Sequence, residues 1–354
     1  MGQFKPLLSL GEKTVTQHLV SAFRKNGVEV FLIAGHRARE LAAATKDLEI
    51  HLVENPNYAA GMFSSVQAGI RALGNSFAGT FISPVDIPLV RAFTVARLME
   101  ASSNCPGRLI YPFFGGRRGH PPFVPAGMFR RILEWPREGD LKSALGGAQG
   151  DILEVAVADR FINSDLDSPA DYQRLLEDYH NYAVPSAEEC RAVIEEIVRL
   201  PEGLLLHSRK VAEVARNVGL ALDQAGQKVN LAALEAGALC HDLAKGHPDH
   251  EKEGADFLRR LGFEGIAPLV AAHADLQAGG GELSLEAKLV FLADKLVAGD
   301  RLVSLDERFG SALRRFGSDP AVAENIRKKL STARTVQREI EMLLHCPVES
   351  LLNA

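Results

Sequence analysis

Six side chains between positions 207 and 294 are of the types that hold metal ions: His207, the adjacent pair His241-Asp242, His250, His273 and Asp294. Imidazole nitrogens and carboxylate oxygens suit Zn, Fe, Mn or Mg. Consecutive side chains on a helix diverge by about 100°, so two neighbours serving one ion is an unusual demand on geometry. An isolated His-Asp pair reads as a surface histidine and a cap. Here the pair ends a helical run, LAALEAGALCHDLAKG, with histidines on the helices before and after it. To bind a metal, each histidine must be a neutral imidazole whose second nitrogen is held by an acceptor.

A second set lies in the first half. Asp86 follows the apolar run Gly79–Ser83, beyond the carboxyl end of a strand, where open α/β sheets bind ligands. Ser168-Pro169-Ala170-Asp171 reads as a capped helix start. That reading leaves the preceding Asp165 unexplained, with Asp167 as its competitor. Mg²⁺ needs only one or two such carboxylates beside phosphate oxygens. Gly61 permits close backbone approach, and Ser64 and Ser65 open a helix whose N-terminus can bind an anion.

The elements that must position these groups fall into two halves. From Val28 to about Leu176, short apolar runs (Val28–Ala34, Glu49–Val53, Gly79–Ser83, Arg108–Pro112, Ile152–Val155) alternate with amphipathic stretches such as Ser64–Leu73 and Phe93–Ala101. This predicts a Rossmann-like α/β domain with a mainly parallel sheet covered on both faces. After Tyr182 the pattern is helical throughout: Glu188–Arg199, Leu204–Leu222, Leu231–Ala244, His250–Leu261, Ile266–His273, Leu285–Ala298 and Pro320–Leu344. The expected domains are 1–182 and an all-α 187–354, joined where Pro185 ends one element and Ser186 caps the next. Gly-rich Ala278–Gly281 reads as a loop, and His247, Asp275 and Asp300 as solvated groups.

Composition narrows the partners. A chain of 354 residues, 46% hydrophobic and 24% charged, has room for two ordinary globular domains. A net charge of −5 argues against a nucleic-acid or membrane surface binder. No run is long and apolar enough to span a bilayer, and the start lacks a signal-peptide pattern. Four scattered cysteines without a C-x-x-C pair read as reduced thiols, giving a cytoplasmic expectation.

Five segments of the first half, MGQFKPLL, NPNYAAGMFSSVQAGI, PVDIPLV, RRGHPPFV and DLDSPADYQRL, occur in the order found in MobA-like nucleotidyltransferases. They resemble most the cytidylyltransferases of the molybdenum cofactor pathway. The resemblance implies CMP transfer from CTP to a molybdopterin-like phosphate acceptor, with Mg²⁺ on Asp86 and Asp165. It gives Lys5 to the triphosphate, Gly61, Ser64 and Ser65 to the nucleotide, and His120, within Gly119-His120-Pro121, to the acceptor side. The family pattern has a strand and a glycine-rich loop before the methionine that is residue 1 here. That departure carries the expectation of either a start further upstream or an inactive nucleotide-sensing domain.

The H…HD…H…H…D order, over about Ala187 to Phe309, resembles the HD-domain metal-dependent phosphohydrolases. The resemblance implies one metal on His207, His241, Asp242 and Asp294, and a second, with His250 and His273, in two-metal members. It implies Mn, Fe, Mg or Zn as the metals and a small phosphorylated nucleotide as the substrate; Asp242 and Lys245 are the expected catalytic residues here, as Asp86 is in the first half, with Lys245 a point charge and Arg301 a bidentate contact for substrate phosphate. Three functions stay open: a bifunctional transferase and hydrolase, a hydrolase with a nucleotide-sensing first half, and a non-catalytic metal-stabilised regulator.

Overall fold

The computed structural model describes residues 4–136, 139–146, 152–276 and 283–352. The chain divides into two compact units, Met1–Asn181 and Tyr182–Ala354. The loop read at Ala278–Gly281 falls outside the described residues.

In the first unit, strands Phe31–Ala34 and His51–Glu54 pair in parallel, with helix Ala38–Thr45 as their crossover. A five-stranded sheet contains Gly79–Phe81, Phe123–Pro125, Leu109–Phe114, Arg117–Arg118 and Ile152–Ala156. Leu109–Phe114 runs parallel to Ile152–Ala156, whereas Phe123–Pro125 lies antiparallel between Gly79–Phe81 and Leu109–Phe114. The expected α/β architecture is therefore present, with two parallel pairings and antiparallel strands added to the larger sheet. Phe123–Pro125 went unread because Pro121 and Pro122 precede it, and proline cannot donate to a ladder.

Apolar residues at helical spacing cover this sheet. Phe63, Ile70 and Leu73 of helix Met62–Leu73 pack with Leu109, Val124, Phe129 and Ile132. A separate cluster joins Leu19, Phe23, Ile87, Val90 and Val95. Each such side chain contributes roughly 1.5–3 kcal/mol when fully buried. The cap read at Ser168 is present: its hydroxyl accepts from the Asp171 N–H, the Asp171 carboxylate accepts from the Ser168 N–H, and Pro169 opens the helix.

The second unit is helical. Val211, Val214, Val218 and Leu222 line the inward stripe of Glu202–Gln224 and pack on Leu234, Ala238, Val290 and Phe291. Leu231–Cys240 buries Ala233, Leu234, Ala236, Gly237, Ala238 and Cys240, as expected of a helix inside a bundle. A β-carbon at Gly237 would lie 2.8 Å from Leu269 Cδ2, so glycine there lets helix Ala267–Ala272 approach closely.

Two expected helices end early. Leu231–Cys240 gives way to tight i→i+3 turns through Ala244, with Leu243 N–H bonded to the Cys240 carbonyl and Lys245 N–H to that of Asp242. Leu285–Lys295 passes into a hairpin of Val297–Ala298 with Arg301–Leu302. Glu188–Arg199 begins as the helix Ala187–Arg191, capped by Ser186, and continues as a π-helix over Ala192–Val198. Among the described residues no helix is long and apolar enough to cross a membrane.

Candidate functional sites

Element ends set the geometry of the second unit's cluster. His207 lies in the early turns of Glu202–Gln224, and His250 opens His250–Leu261. His241 and His273 sit at the C-termini of Leu231–Cys240 and Ala267–Ala272, and Asp294 in the last turn of Leu285–Lys295. Three helix carboxyl ends thus meet there, and their aligned carbonyls favour positive charge.

The side chains form two triplets, His207/His241/Asp294 and Asp242/His250/His273, each with potential ligand atoms within 4.8 Å of one another. Asp242 joins them. Its Oδ1 lies 3.4 Å from His273 Nε2 and 3.7 Å from His250 Nε2, while Oδ2 lies 3.5 Å from His241 Nε2. Asp294 Oδ1 lies 3.2 Å from His207 Nε2 and 3.7 Å from His241 Nε2. The expected set comes together, but Asp242 groups with His250 and His273 more closely than with His207. Its position after Cys240, in the turn, points it across the cluster.

Every histidine spends Nδ1 outward. His207 Nδ1 donates to the Gly299 carbonyl at 2.9 Å, His241 to Ala238 at 2.8 Å and His273 to Val270 at 2.6 Å. His250 Nδ1 lies 3.0 Å from the Glu251 carboxylate. With Nδ1 so held, each Nε2 lone pair faces inward, the tautomer a metal requires. His241 Nε2 is fully buried and lacks a hydrogen-bond partner, a costly state that an ion would relieve. The donor set therefore fits divalent metal.

The charges of the cluster are coupled: burial opposes the His241 imidazolium, but Asp294 and Asp242 push His241 above its ordinary value, as they would attract a metal cation in its place. Burial alone would raise the Asp242 carboxyl, but the neighbouring His273, His241 and Lys245 hold it below the usual range. Burial likewise opposes the Asp294 charge, yet Lys295, His207 and His241 hold this carboxyl well down. Burial pushes His250 down, favouring its neutral, metal-binding form. Lys245 Nζ is 3.1 Å from Asp242 Oδ2 and half exposed, and Arg301 is exposed on the strand beyond Gly299. Glu251, Lys295 and the Gly299 carbonyl were missed, although Glu251 and Lys295 directly follow His250 and Asp294.

In the first unit, Leu166 N–H donates to the Asp86 carbonyl at 2.9 Å and His120 N–H to that of Ile162 at 2.8 Å. These bonds hold the segment containing Asp165 beside Asp86 and His120. Ser83 Oγ, Asp86 Oδ1 and His120 Nδ1 are buried without hydrogen-bond partners, past the end of strand Gly79–Phe81, and could each meet a ligand atom. A cavity of about 240 Å³ lies alongside, lined by Tyr111, Arg118, Gly119, His120, Asn163 and Asp165. Burial pushes His120 down, so it is neutral near pH 7. Lys5 Nζ bonds Asp167 at 2.8 Å and stands within electrostatic reach of Asp86. The unpaired Asp86 oxygen and its neighbouring carboxylates fit Mg²⁺.

Gly61 caps Met62–Leu73 with φ 93°, a conformation suited to glycine. Ser64 is buried, its hydroxyl 2.8 Å from the Gly61 carbonyl and 3.0 Å from that of Asn57. Asn55 donates to Ser64 and Ser65. These bonds tie the serines into the loop that precedes the helix.

Burial, with the charges of Asp165 and Asp167, pushes the Asp86 carboxyl above its ordinary value, partly offset by Lys5. The folded state then holds this proton more tightly than the unfolded chain, so its ionisation at neutral pH destabilises the fold. Asp86→Asn is therefore expected to raise stability at pH 7, with a gain that vanishes as pH falls below the unfolded carboxylate pKa. The only tryptophan, Trp135, lies in this unit, so urea unfolding followed by its fluorescence at pH 7 and in acid measures the effect.

Residues 1–152 match the model of the MobA-like NTP transferase domain, and residues 204–299 that of the HD domain. The molybdenum cofactor cytidylyltransferase of Escherichia coli (strain K12) is 24% identical over 180 residues, covering 51% of this chain and 90% of that protein. An uncharacterized protein of Methanocaldococcus jannaschii is 27% identical over 138 residues, covering 33% of this chain and 80% of its own. Among solved structures, Rv0371c of Mycobacterium tuberculosis is 22% identical, with a TM-score of 0.44 over 50% of this chain and 90% of that one. A manganese complex of the same protein has a TM-score of 0.42 at 22% identity, over 49% of this chain and 91% of that one.

Proposed function

The chain joins a MobA-like NTP transferase domain to an HD domain, and on that premise we propose a bifunctional enzyme with two separate sites. The HD domain hydrolyses a small phosphorylated nucleotide on a dinuclear centre. The transferase domain moves CMP from CTP to a molybdopterin-like phosphate acceptor. The domains are 1–182 and 187–354.

One observation supports the hydrolase reading above the rest: four histidines with Nδ1 held outward, and Nε2 converging on Asp242 and Asp294. His207, His241 and Asp294 would hold one divalent ion, His250 and His273 a second, and Asp242 would touch both. Ions so held supply an activated water and neutralise the charge on a departing phosphate oxygen. Lys245 offers a point charge at the exposed rim, and Arg301 a planar, bidentate donor for substrate phosphate.

In the transferase domain, Asp86 and Asp165 would hold Mg²⁺ and Lys5 would offset triphosphate charge. Gly61 lets the nucleotide approach the first turn of Met62–Leu73, whose shape Ser64 and Ser65 maintain. Neutral His120, in the wall of the cavity, accepts or donates a proton at its unpartnered Nδ1 when the acceptor binds.

Metal removal tests the hydrolase reading. Turnover of bis(p-nitrophenyl) phosphate is expected to stop after chelation and to return with Mn²⁺. Turnover unchanged by chelation would sink it.

A further inference from the structure

Lys295 buries an ammonium beside the metal-ligand cluster. It is 8% exposed, and its Nζ lies 2.5 Å from Asp294 Oδ2, 3.0 Å from the His273 carbonyl and 4.9 Å from the Phe291 ring centre. Burying a charge is costly unless it is paired, and the pairing here is specific. One contact falls on the carboxylate of the first triplet and the other on the backbone of a histidine in the second. The remaining oxygen of Asp294, Oδ1, points at His207 and His241.

We propose that Lys295 is a positioning residue that keeps Asp294 a one-oxygen ligand and fixes the distance between the two metal sites. The proposal rests on the dinuclear reading above. A free carboxylate can chelate one ion through both oxygens, and Lys295 occupies one of them. Its bond to the His273 carbonyl, at the end of Ala267–Ala272, anchors the second triplet's histidine from behind. One compact ammonium thus ties both triplets together, a task for a point charge with several donors rather than a planar fork.

Cobalt titration of the full chain, followed by visible absorption, tests this. The wild-type chain is expected to take up Co²⁺ at both sites. Lys295→Met should weaken binding of the second ion by about 10–100-fold, the usual cost of losing a partner that orients ligands. It should also lower the visible absorption per bound ion, because a two-oxygen Asp294 raises the coordination number. Lys295→Arg should recover part of both. If the methionine variant loses its far-ultraviolet helix signal, Lys295→Gln is read in the same way. Wild-type affinity and absorption in the neutral variant would overturn the proposal and leave Lys295 a mere counter-ion. A wild-type chain that binds no Co²⁺ would overturn the dinuclear reading itself.

Discussion

Asp242→Ala is expected to abolish phosphoester hydrolysis while leaving the helix content unchanged. Asp242 faces His250 and His273 with one oxygen and His241 and Lys245 with the other, so no other single side chain touches as much of the cluster. Its loss leaves the second triplet without a carboxylate and frees Lys245. Metal ions in such sites supply several kcal/mol of charge stabilisation. Losing about 4 kcal/mol of it corresponds to about a 1,000-fold fall in rate. The fold survives because Asp242 lies in a turn past Cys240, outside the apolar cluster built on Val211, Leu234 and Phe291. Rates with bis(p-nitrophenyl) phosphate and far-ultraviolet circular dichroism measure the two effects. More than about a tenth of the wild-type rate would remove Asp242 from the machinery.

Asp86→Ala is expected to end pyrophosphate release from CTP and to leave phosphoester hydrolysis at the wild-type rate. Each unit has clusters of its own, Phe63 to Leu145 and Leu19 to Val95 in one, Val211 to Val348 in the other. Asp86 and the histidines belong to different compact units. If Asp86 holds the metal as proposed, its loss removes stabilisation that develops with the leaving pyrophosphate, and about 100–1,000-fold is a reasonable floor for losing one such group. A coupled assay for pyrophosphate, run beside the phosphodiester assay, separates the activities. Loss of both together would point to one composite site.

The histidines and aspartates of the cluster were legible as a set because histidine and aspartate at helix ends, in that order, have few structural uses in common. What their types could not convey was the partition. Asp242 reaches the second triplet only because Leu231–Cys240 tightens into turns before Ala244, and a change of hydrogen-bond pattern leaves no mark on apolar periodicity. Lys295 and Glu251 escaped notice for a similar reason. Groups that hold ligands from behind obey no spacing rule, since the fold, not the chain, brings Lys295 to the His273 carbonyl. In the first unit, helix Met62–Leu73 and the cap at Ser168 were legible from local chemistry. The antiparallel strand Phe123–Pro125 was not, because two prolines disguise it and its partners are distant in sequence.

Metal stoichiometry decides whether the second unit holds a dinuclear centre. The purified chain, stripped with chelator, reloaded with Mn²⁺ and freed of unbound ion, should retain about two equivalents per chain, as a dinuclear hydrolase centre requires. His241→Ala with Asp242→Ala should retain little of it at unchanged helix content. Less than about half an equivalent in the wild-type chain, with none added on reloading, would contradict the metal centre on which the hydrolase reading stands.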